Sequence, residues 1–125
     1  MNISKLAVIA ILACAGSSWA QHKHGDNAGA AQTLEGEILD MSCYLAHEGQ
    51  GPKHAKCAKQ CALGGVPLGL LTADKKVYLL VSEHGKETAF GDVKALAGEK
   101  AKITGKFASR GGISALLVHQ VEKAK

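Results

Sequence analysis

Aromatic side chains are scarce in this sequence: Phe, Trp and Tyr together make up 4% of its 125 residues. Proteins that bind single-stranded nucleic acids stack the bases on aromatic side chains along a basic groove. The formal net charge is only +4, and the basic residues are dispersed along the chain without forming a tract. The composition therefore argues against nucleic acid as a partner. Beyond the first 20 residues, the aromatic residues are Tyr44, Tyr78, Phe90 and Phe107.

The sequence also lacks the short motifs of common catalytic sites. It contains no Gly-x-Ser-x-Gly, no glycine-rich phosphate-binding loop and no His-Glu-x-x-His. It contains no Cys-x-x-Cys, which excludes both the usual thioredoxin motif and covalent haem attachment through Cys-x-x-Cys-His. The sequence therefore favours a binding protein over an enzyme.

Long apolar runs are absent beyond the N-terminus. Residues 6–15 form an unbroken run of apolar or small side chains after Lys5, and small residues lead to Ala20. This pattern is typical of a bacterial export signal cleaved after Ala20, and the run is too short to span a bilayer. We therefore expect a periplasmic or secreted protein that has no stable membrane span after cleavage. An alternative interpretation is a lipoprotein that is lipidated at Cys14.

The rest of the chain predicts one small domain. Residues 21–32 are polar and small and predict a disordered leader, residues 33–122 the domain, and residues 123–125 a charged tail. Five apolar or alternating segments predict strands, and two segments rich in helix formers predict helices. The fold class is therefore mainly β with two short helices. Gly64 is predicted to end the first helix as a cap residue with a left-handed backbone conformation. The predicted strands cover residues 33–40, 66–71, 76–81, 100–107 and 113–121, and the predicted helices cover residues 53–63 and 88–97.

Several stretches resemble known proteins. Residues 96–123 resemble the last two strands of OB-fold barrels. Four features occur in the predicted domain: a Gly-Glu-Ile-Leu-Asp strand at residues 36–40, Cys43, His-x-x-Cys-x-x-x-Cys at residues 54–61 and Gly-Gly-x-Pro-x-Gly at residues 64–69. With these features, the whole domain is similar to a group of small exported bacterial proteins with an OB-like fold. The resemblance covers residues 33–121 and implies a five-stranded OB-like barrel with a Cys/His-bearing helix between the first and second strands. It implies no particular activity.

One histidine and two cysteines lie close together in the first predicted helix. Because an α-helix advances by about 100° per residue, His54, Cys57 and Cys61 fall within about 60° of one face. That face has no large apolar side chain, so burial of apolar area explains it poorly. Cys43 follows the first strand, and the helix can fold back over it. We therefore predict a site for a soft metal ion, copper or zinc, whose ligands are Cys43, His54, Cys57 and Cys61.

The same residues leave other interpretations open. The plainest is that the cysteines only pack, since cysteine behaves as a small hydrophobe. In an oxidising compartment, a disulfide from Cys43 to Cys57 or Cys61 would staple an interaction module and leave one thiol over. A further interpretation is thiol–disulfide exchange with another exported protein. The neighbouring side chains have plainer expected roles: Met41 packs, His47 lies in an exposed loop and Asp40 lies in a turn.

Overall fold

The structure is a computed structural model, and it describes residues 29–125. Within that range it has five strands and three helices. The predicted export signal, and the predicted leader up to residue 28, lie outside the described residues. None of the helices described is both long and apolar enough to cross a membrane. The strands are β1 (Ala31–Asp40), β2 (Leu68–Thr72), β3 (Val77–Ser82), β4 (Lys100–Arg110) and β5 (Ile113–Lys123), and the helices are α1 (Met41–His47), α2 (Ala55–Leu63) and α3 (Glu87–Ala95).

The five strands form one sheet that closes into a ring in the order β1-β2-β3-β5-β4. The ring closes through β1, which is long enough to pair with two neighbours. Residues 36–40 of β1 pair with β2, and residues 31–37 pair with β4. β3 and β5 run parallel to each other, whereas the other neighbours are antiparallel.

Apolar side chains from all five strands meet inside the ring. The alternation is clearest in β4, where Ala101 and Ile103 are buried and Lys100 and Lys102 are exposed. α3 packs on β3 and β5 and adds the fully buried Val93 to this core. Burial of apolar area, at about 25 cal/mol per Å², is the main contribution that favours this fold. The largest buried apolar side chains are Ile38, Leu39, Leu68, Leu70, Ile103, Leu116, Val93 and Val118.

Two glycines allow the strands to approach each other closely where the ring bends. A Cβ atom at Gly36 would collide with the backbone carbonyl of Leu71, and one at Gly105 with that of Leu117. Gly36 lies where β1 pairs with both of its neighbours, and Gly105 borders the register shift between β4 and β5. Glycine within a strand commonly marks such a bend or close backbone approach.

The prediction of five strands, with the Cys/His-bearing helix between the first and the second, is confirmed. The prediction of two helices is wrong, because α1 is a third helix among the described residues. Asp40 starts it: its Oδ1 atom accepts hydrogen bonds from the N–H groups of Ser42 (2.8 Å) and Cys43 (3.2 Å). Aspartate is a strong N-cap residue because it satisfies N–H groups that have no partner within the helix.

Two smaller predictions about element ends also need correction. β1 begins at Ala31, two residues inside the segment predicted as a leader. The left-handed residue after α2 is Gly65, with φ at +91°, whereas the φ of Gly64 is −73°. Gly64 therefore still has helical backbone angles, and the chain changes direction one residue later than predicted.

Candidate metal centre

Three segments bring cysteine and histidine side chains together at the end of β1. Asp40 is the last residue of β1, and Cys43 lies in the first turn of α1 directly after it. The chain then turns back so that α2 also packs on β1. His54 is the N-cap residue of α2, and Cys57 and Cys61 lie within that helix.

Small residues hold α2 close to the sheet. Ala58 and Ala62 are its buried residues. A Cβ atom at Gly98 would lie only 2.5 Å from the Cα atom of Ala55, so the turn after α3 contacts the start of α2. The N–H group of Gly98 donates a 2.7 Å hydrogen bond to the carbonyl of Ile38, which ties this turn to β1. The position of α2 beside the end of β1 therefore depends on the absence of large side chains.

The first group of donor atoms is Cys43, His54 and Cys57, which we call the histidine triad. The two Sγ atoms and a ring nitrogen of His54 all lie within 4.8 Å of one another. Donor atoms bound to one zinc ion are roughly 3.5–4 Å apart, because the metal–ligand bonds are about 2.0–2.3 Å long. Small side-chain adjustments would therefore bring these three donors to one ion.

The second group is Asp40, Cys43 and Cys61, which we call the aspartate triad. A carboxylate oxygen and the two Sγ atoms again lie within 4.8 Å of one another, and Cys43 belongs to both triads. The structure thus brings the predicted ligands into one cluster but separates Cys61 from His54. It also adds Asp40, for which the sequence predicts only a turn. An aspartate directly before a short segment without β-branched residues is an N-cap signal that could have indicated this position.

Two buried polar atoms of the cluster have no hydrogen-bond partner among the described residues. They are Oδ2 of Asp40 and Nε2 of His54. Burying a polar atom without a partner costs about 1–3 kcal/mol, and native proteins satisfy nearly all such atoms. Carboxylate oxygen and imidazole nitrogen are both common zinc ligands. A metal ion at either atom would therefore supply its missing partner, so the residues present fit a metal.

Gly49 makes room for the two side chains beside it. It is buried, and its N–H group donates a 3.2 Å hydrogen bond to the carbonyl of Cys43. An added Cβ atom would lie 2.9 Å from Nε2 of His54 and 3.0 Å from Cβ of Cys43. The sequence gives no signal for this role, since Gly49 occurs there as one of several loop glycines.

Asp40 also governs the protonation of the cysteines. Its carboxylate, together with burial, raises the pKa of Cys43 to about 12 and the pKa of Cys61 to about 11. Burial by itself would raise the pKa of Asp40, but the thiols of Cys43 and Cys61 and the nearby backbone N–H groups hold that pKa below its ordinary value. At neutral pH the aspartate triad therefore holds one carboxylate and two protonated thiols. Metal binding must release these thiol protons.

The side chains of the cluster differ in their exposure to solvent. Asp40 is 0% exposed, Cys43 and Cys61 are half-buried and Cys57 is exposed. An ion can therefore approach from the side of Cys57 while the carboxylate stays shielded from water.

Two neighbouring side chains stay outside the triads. A Cβ atom at Gly69 would collide with Sδ of Met41, so the thioether of Met41 packs against β2 as predicted. His47 is exposed, as predicted, but it is the last residue of α1 and not part of a loop. Its ring lies edge-on to the ring of His54, with 5.9 Å between the ring centroids.

The thiols of Cys43, Cys57 and Cys61 are all free in this structure. The Sγ atom of Cys43 nevertheless lies within 4.8 Å of the Sγ atoms of both Cys57 and Cys61. Formation of either disulfide would use the one sulfur atom that the two triads share. A disulfide at Cys43 and a metal at either triad therefore exclude each other.

No model of a protein family matches this chain, and no curated protein or solved structure matches it either. The function therefore has to be argued from the chemistry of the cluster itself.

Proposed function

We propose that this protein binds a soft metal ion, copper(I) or else zinc, through the histidine triad. The observation that carries the proposal is the convergence of two thiols and one imidazole within 4.8 Å, together with a buried His54 Nε2 atom that has no hydrogen-bond partner within residues 29–125. Thiolate and imidazole are the donors that these two metals prefer. Copper(I) ranks first because it suits soft thiolates and does not need the four ligands that structural zinc usually takes. Cys61 lies next to this triad and is the remaining predicted ligand.

We also propose that the protein is exported and that its closed sheet is an OB-like barrel. The strand order, the parallel pairing of β3 with β5 and the position of α3 before β4 support the OB-like fold. The N-terminal pattern of a basic residue, an apolar run and small residues supports export. In an oxidising compartment, a bound ion would protect the thiols, and the exposed Cys57 would let another exported protein take the ion by ligand exchange.

A second candidate function is a disulfide-stapled interaction module. The observation that favours it is the proximity of the Cys43 sulfur to two other sulfur atoms. A disulfide from Cys43 to Cys57 or Cys61 would close a loop of about 15–19 residues, worth roughly 3 kcal/mol of stability. Thiol–disulfide exchange is less favoured, because the raised pKa values of Cys43 and Cys61 leave few thiolates to attack a disulfide.

The test is to count thiols and metal ions on the same sample. The full chain is expressed in bacteria and purified without added chelator, its free thiols are titrated and its bound metal is measured by native mass spectrometry. Copper(I) is then titrated into the reduced protein against a chromophoric chelator. We expect a bound metal ion, or tight copper(I) binding after reduction. One free thiol among Cys43, Cys57 and Cys61, no metal and no copper(I) or zinc binding after reduction would support the stapled module instead.

Two histidine variants make this test specific. His54→Ala removes the imidazole of the histidine triad, and we expect copper(I) affinity to fall by more than tenfold, since even the loss of an outer partner of a ligand costs about 10–100-fold. His84→Ala is the matched control, because His84 is exposed and belongs to neither triad. Equal affinities for the two variants would show that His54 only packs.

A further inference from the structure

We propose that the cluster holds two metal ions, with the thiolate of Cys43 as the bridge between them and the aspartate triad as the second site. The inference rests on the proposed function, because the first ion occupies the histidine triad. The second ion is divalent, and its ligands are Asp40, Cys43 and Cys61.

The division of the donors into two triads is the first reason. Each triad brings its three donor atoms within 4.8 Å of one another, but no group of four or five donors does so among the described residues. A single ion in either triad therefore leaves two donors of the other triad unbound. Cys43 is the one member common to both, and a thiolate sulfur has enough lone pairs to bond to two soft or borderline ions at once.

The state of Asp40 is the second and independent reason. The side chain is 0% exposed, and its Oδ2 atom has no hydrogen-bond partner among the described residues. Oδ1 is already used by the N–H groups at the start of α1. None of the ion pairs within residues 29–125 includes Asp40. The groups that favour this buried charge among the described residues are neutral, namely the thiols of Cys43 and Cys61 and the N–H groups of α1. A cation beside Oδ2 would supply the counter-charge that they do not.

The donor types and the charge balance indicate which ion fits. A carboxylate oxygen with two thiolates suits a borderline divalent ion such as Zn²⁺ better than Cu⁺, because carboxylate is a hard ligand. When Cys43, Cys57 and Cys61 lose their protons, the cluster carries four negative charges with Asp40, while His54 stays neutral. Two Zn²⁺ ions balance these charges. With one Zn²⁺ in the histidine triad, the thiolates of Cys43 and Cys57 balance the ion and Cys61 keeps its proton, so the buried charge of Asp40 remains without a counter-charge.

The test counts zinc ions on the reduced full chain by native mass spectrometry. The reference protein carries His22→Ala and His24→Ala, because those histidines lie outside the described residues and can bind zinc by themselves. We expect two ions on the reference protein and one ion when either Asp40→Asn or Cys61→Ser is added. Cys57→Ser should also retain one ion, whereas Cys43→Ser should bind neither ion tightly.

Asp40→Asn is the sharpest of these variants, because asparagine caps a helix as well as aspartate does and so preserves the start of α1. Far-UV circular dichroism checks that each variant is folded. If Asp40→Asn does not fold, the zinc count of Cys61→Ser tests the second site. One ion on the reference protein would overturn the two-ion proposal and leave the proposed function standing. Two ions that persist in both Asp40→Asn and Cys61→Ser would place the second ion elsewhere and also overturn it. No zinc on any protein would overturn the two-ion proposal, and the copper(I) titration described above then decides the proposed function separately.

Discussion

At the scale of single residues, the two oxygens of Asp40 have different roles. Oδ1 accepts the N–H groups that start α1 and so places Cys43 one turn into that helix. Oδ2 lies in the aspartate triad without a hydrogen-bond partner among the described residues. One buried carboxylate therefore both positions a thiol and raises the pKa of that thiol. Replacing it affects local structure and metal chemistry together, so the asparagine variant is needed to separate the two effects.

Gly49→Ala should weaken metal binding. The added methyl group would press on Nε2 of His54, which can rotate away, and on Cβ of Cys43, which moves only together with the backbone of α1. Both would move away from the geometry of the histidine triad, and we expect copper(I) affinity to fall about tenfold or more, as with other disturbed ligand surroundings. A competition titration measures the affinity. Gly91→Ala is the control, because nothing lies within 4 Å of a Cβ atom there, and an affinity of Gly49→Ala equal to that of Gly91→Ala would contradict the prediction.

At the scale of elements, α1 is attached to the domain by few contacts. It has no buried residue, and its Leu45 is 76% exposed. Its links to the rest of the chain include the Asp40 cap and the hydrogen bond from Met41 N–H to the Pro67 carbonyl at 3.0 Å. The side chains of Met41, Cys43 and His47 add contacts with β2 and with the residues of the cluster. Elements with few buried contacts open more readily than the core. α1 is therefore the element whose stability should depend most on a bound ion.

Hydrogen exchange should reveal this dependence. In the reduced, metal-free protein, we expect the amides of residues 44–49 to exchange much faster than those of Ile103 and Val118 in the core strands. Zinc binding should slow exchange in residues 44–49 selectively, because Cys43 ties α1 to α2 through the ion. Exchange followed by mass spectrometry with peptide resolution measures both rates. Unchanged exchange in residues 44–49 at saturating zinc would contradict the account.

A pair of glycine variants tests the close approach of β4 and β5 at Gly105. In Gly105→Ala, the methyl group would strike the backbone carbonyl of Leu117, which cannot move without shifting β5. Overpacking of this kind destabilises proteins by about 1–3 kcal/mol. In Gly91→Ala, the methyl group lies in open space on α3, and we expect about 0.5–1 kcal/mol of added stability because alanine is the better helix former. Urea unfolding measures both, and equal stabilities would contradict the prediction.

Local sequence patterns predict most of the helices and strands. They predict neither α1 nor the arrangement of the donor atoms in two triads. The strands follow from alternation, as in β4, and α2 follows from its helix formers between Pro52 and Gly64. α1 was missed because Asp40 continues an apolar strand, so its capping role depends on where that strand ends. The helical spacing placed Cys57 and Cys61 on one face. Which of them meets His54 and which meets Asp40 depends on how α2 packs on β1, and no local pattern contains that information.

At the scale of the whole molecule, exposed ion pairs are spread around the ring. Lys123 pairs with Glu99, Lys106 with Glu83 at 3.1 Å, and Lys76 with Asp74 at 2.9 Å. Each of these lysines lowers the pKa of the carboxyl group with which it pairs. At Asp74, the hydrogen bond from the Thr72 hydroxyl is the main cause of the lowered pKa. Single exposed pairs contribute little to stability. The same small contributions are lost together when the carboxyl groups are protonated, so acidification removes their sum.

Stability of the reduced, metal-free protein should therefore fall at both ends of the pH range. A carboxyl group with a lowered folded-state pKa stabilises the fold above its ordinary pKa, and this contribution is lost as the pH falls below about 4. A thiol with a raised folded-state pKa stabilises the fold below its ordinary pKa. For Cys43 and Cys61 that contribution is lost as the pH rises from the ordinary value of 9.0 towards 11 and 12.

Urea unfolding at pH 3, 7 and 10 measures this dependence. The variant Cys43→Ser/Cys61→Ser is the matched control: it should lose most of the decrease between pH 7 and pH 10 and keep the decrease on acidification. Equal stability of the parent protein at pH 7 and pH 10 would contradict the role given to Asp40 and the two thiols.

X-ray absorption of the protein loaded with one copper(I) shows whether two sulfur atoms and the His54 imidazole hold the ion. We predict two sulfur ligands and one imidazole nitrogen at bond lengths of about 2.0–2.3 Å. The imidazole signal should disappear in His54→Ala and remain in His84→Ala. A copper site without an imidazole ligand, or one whose spectrum is identical in His54→Ala, would contradict the account.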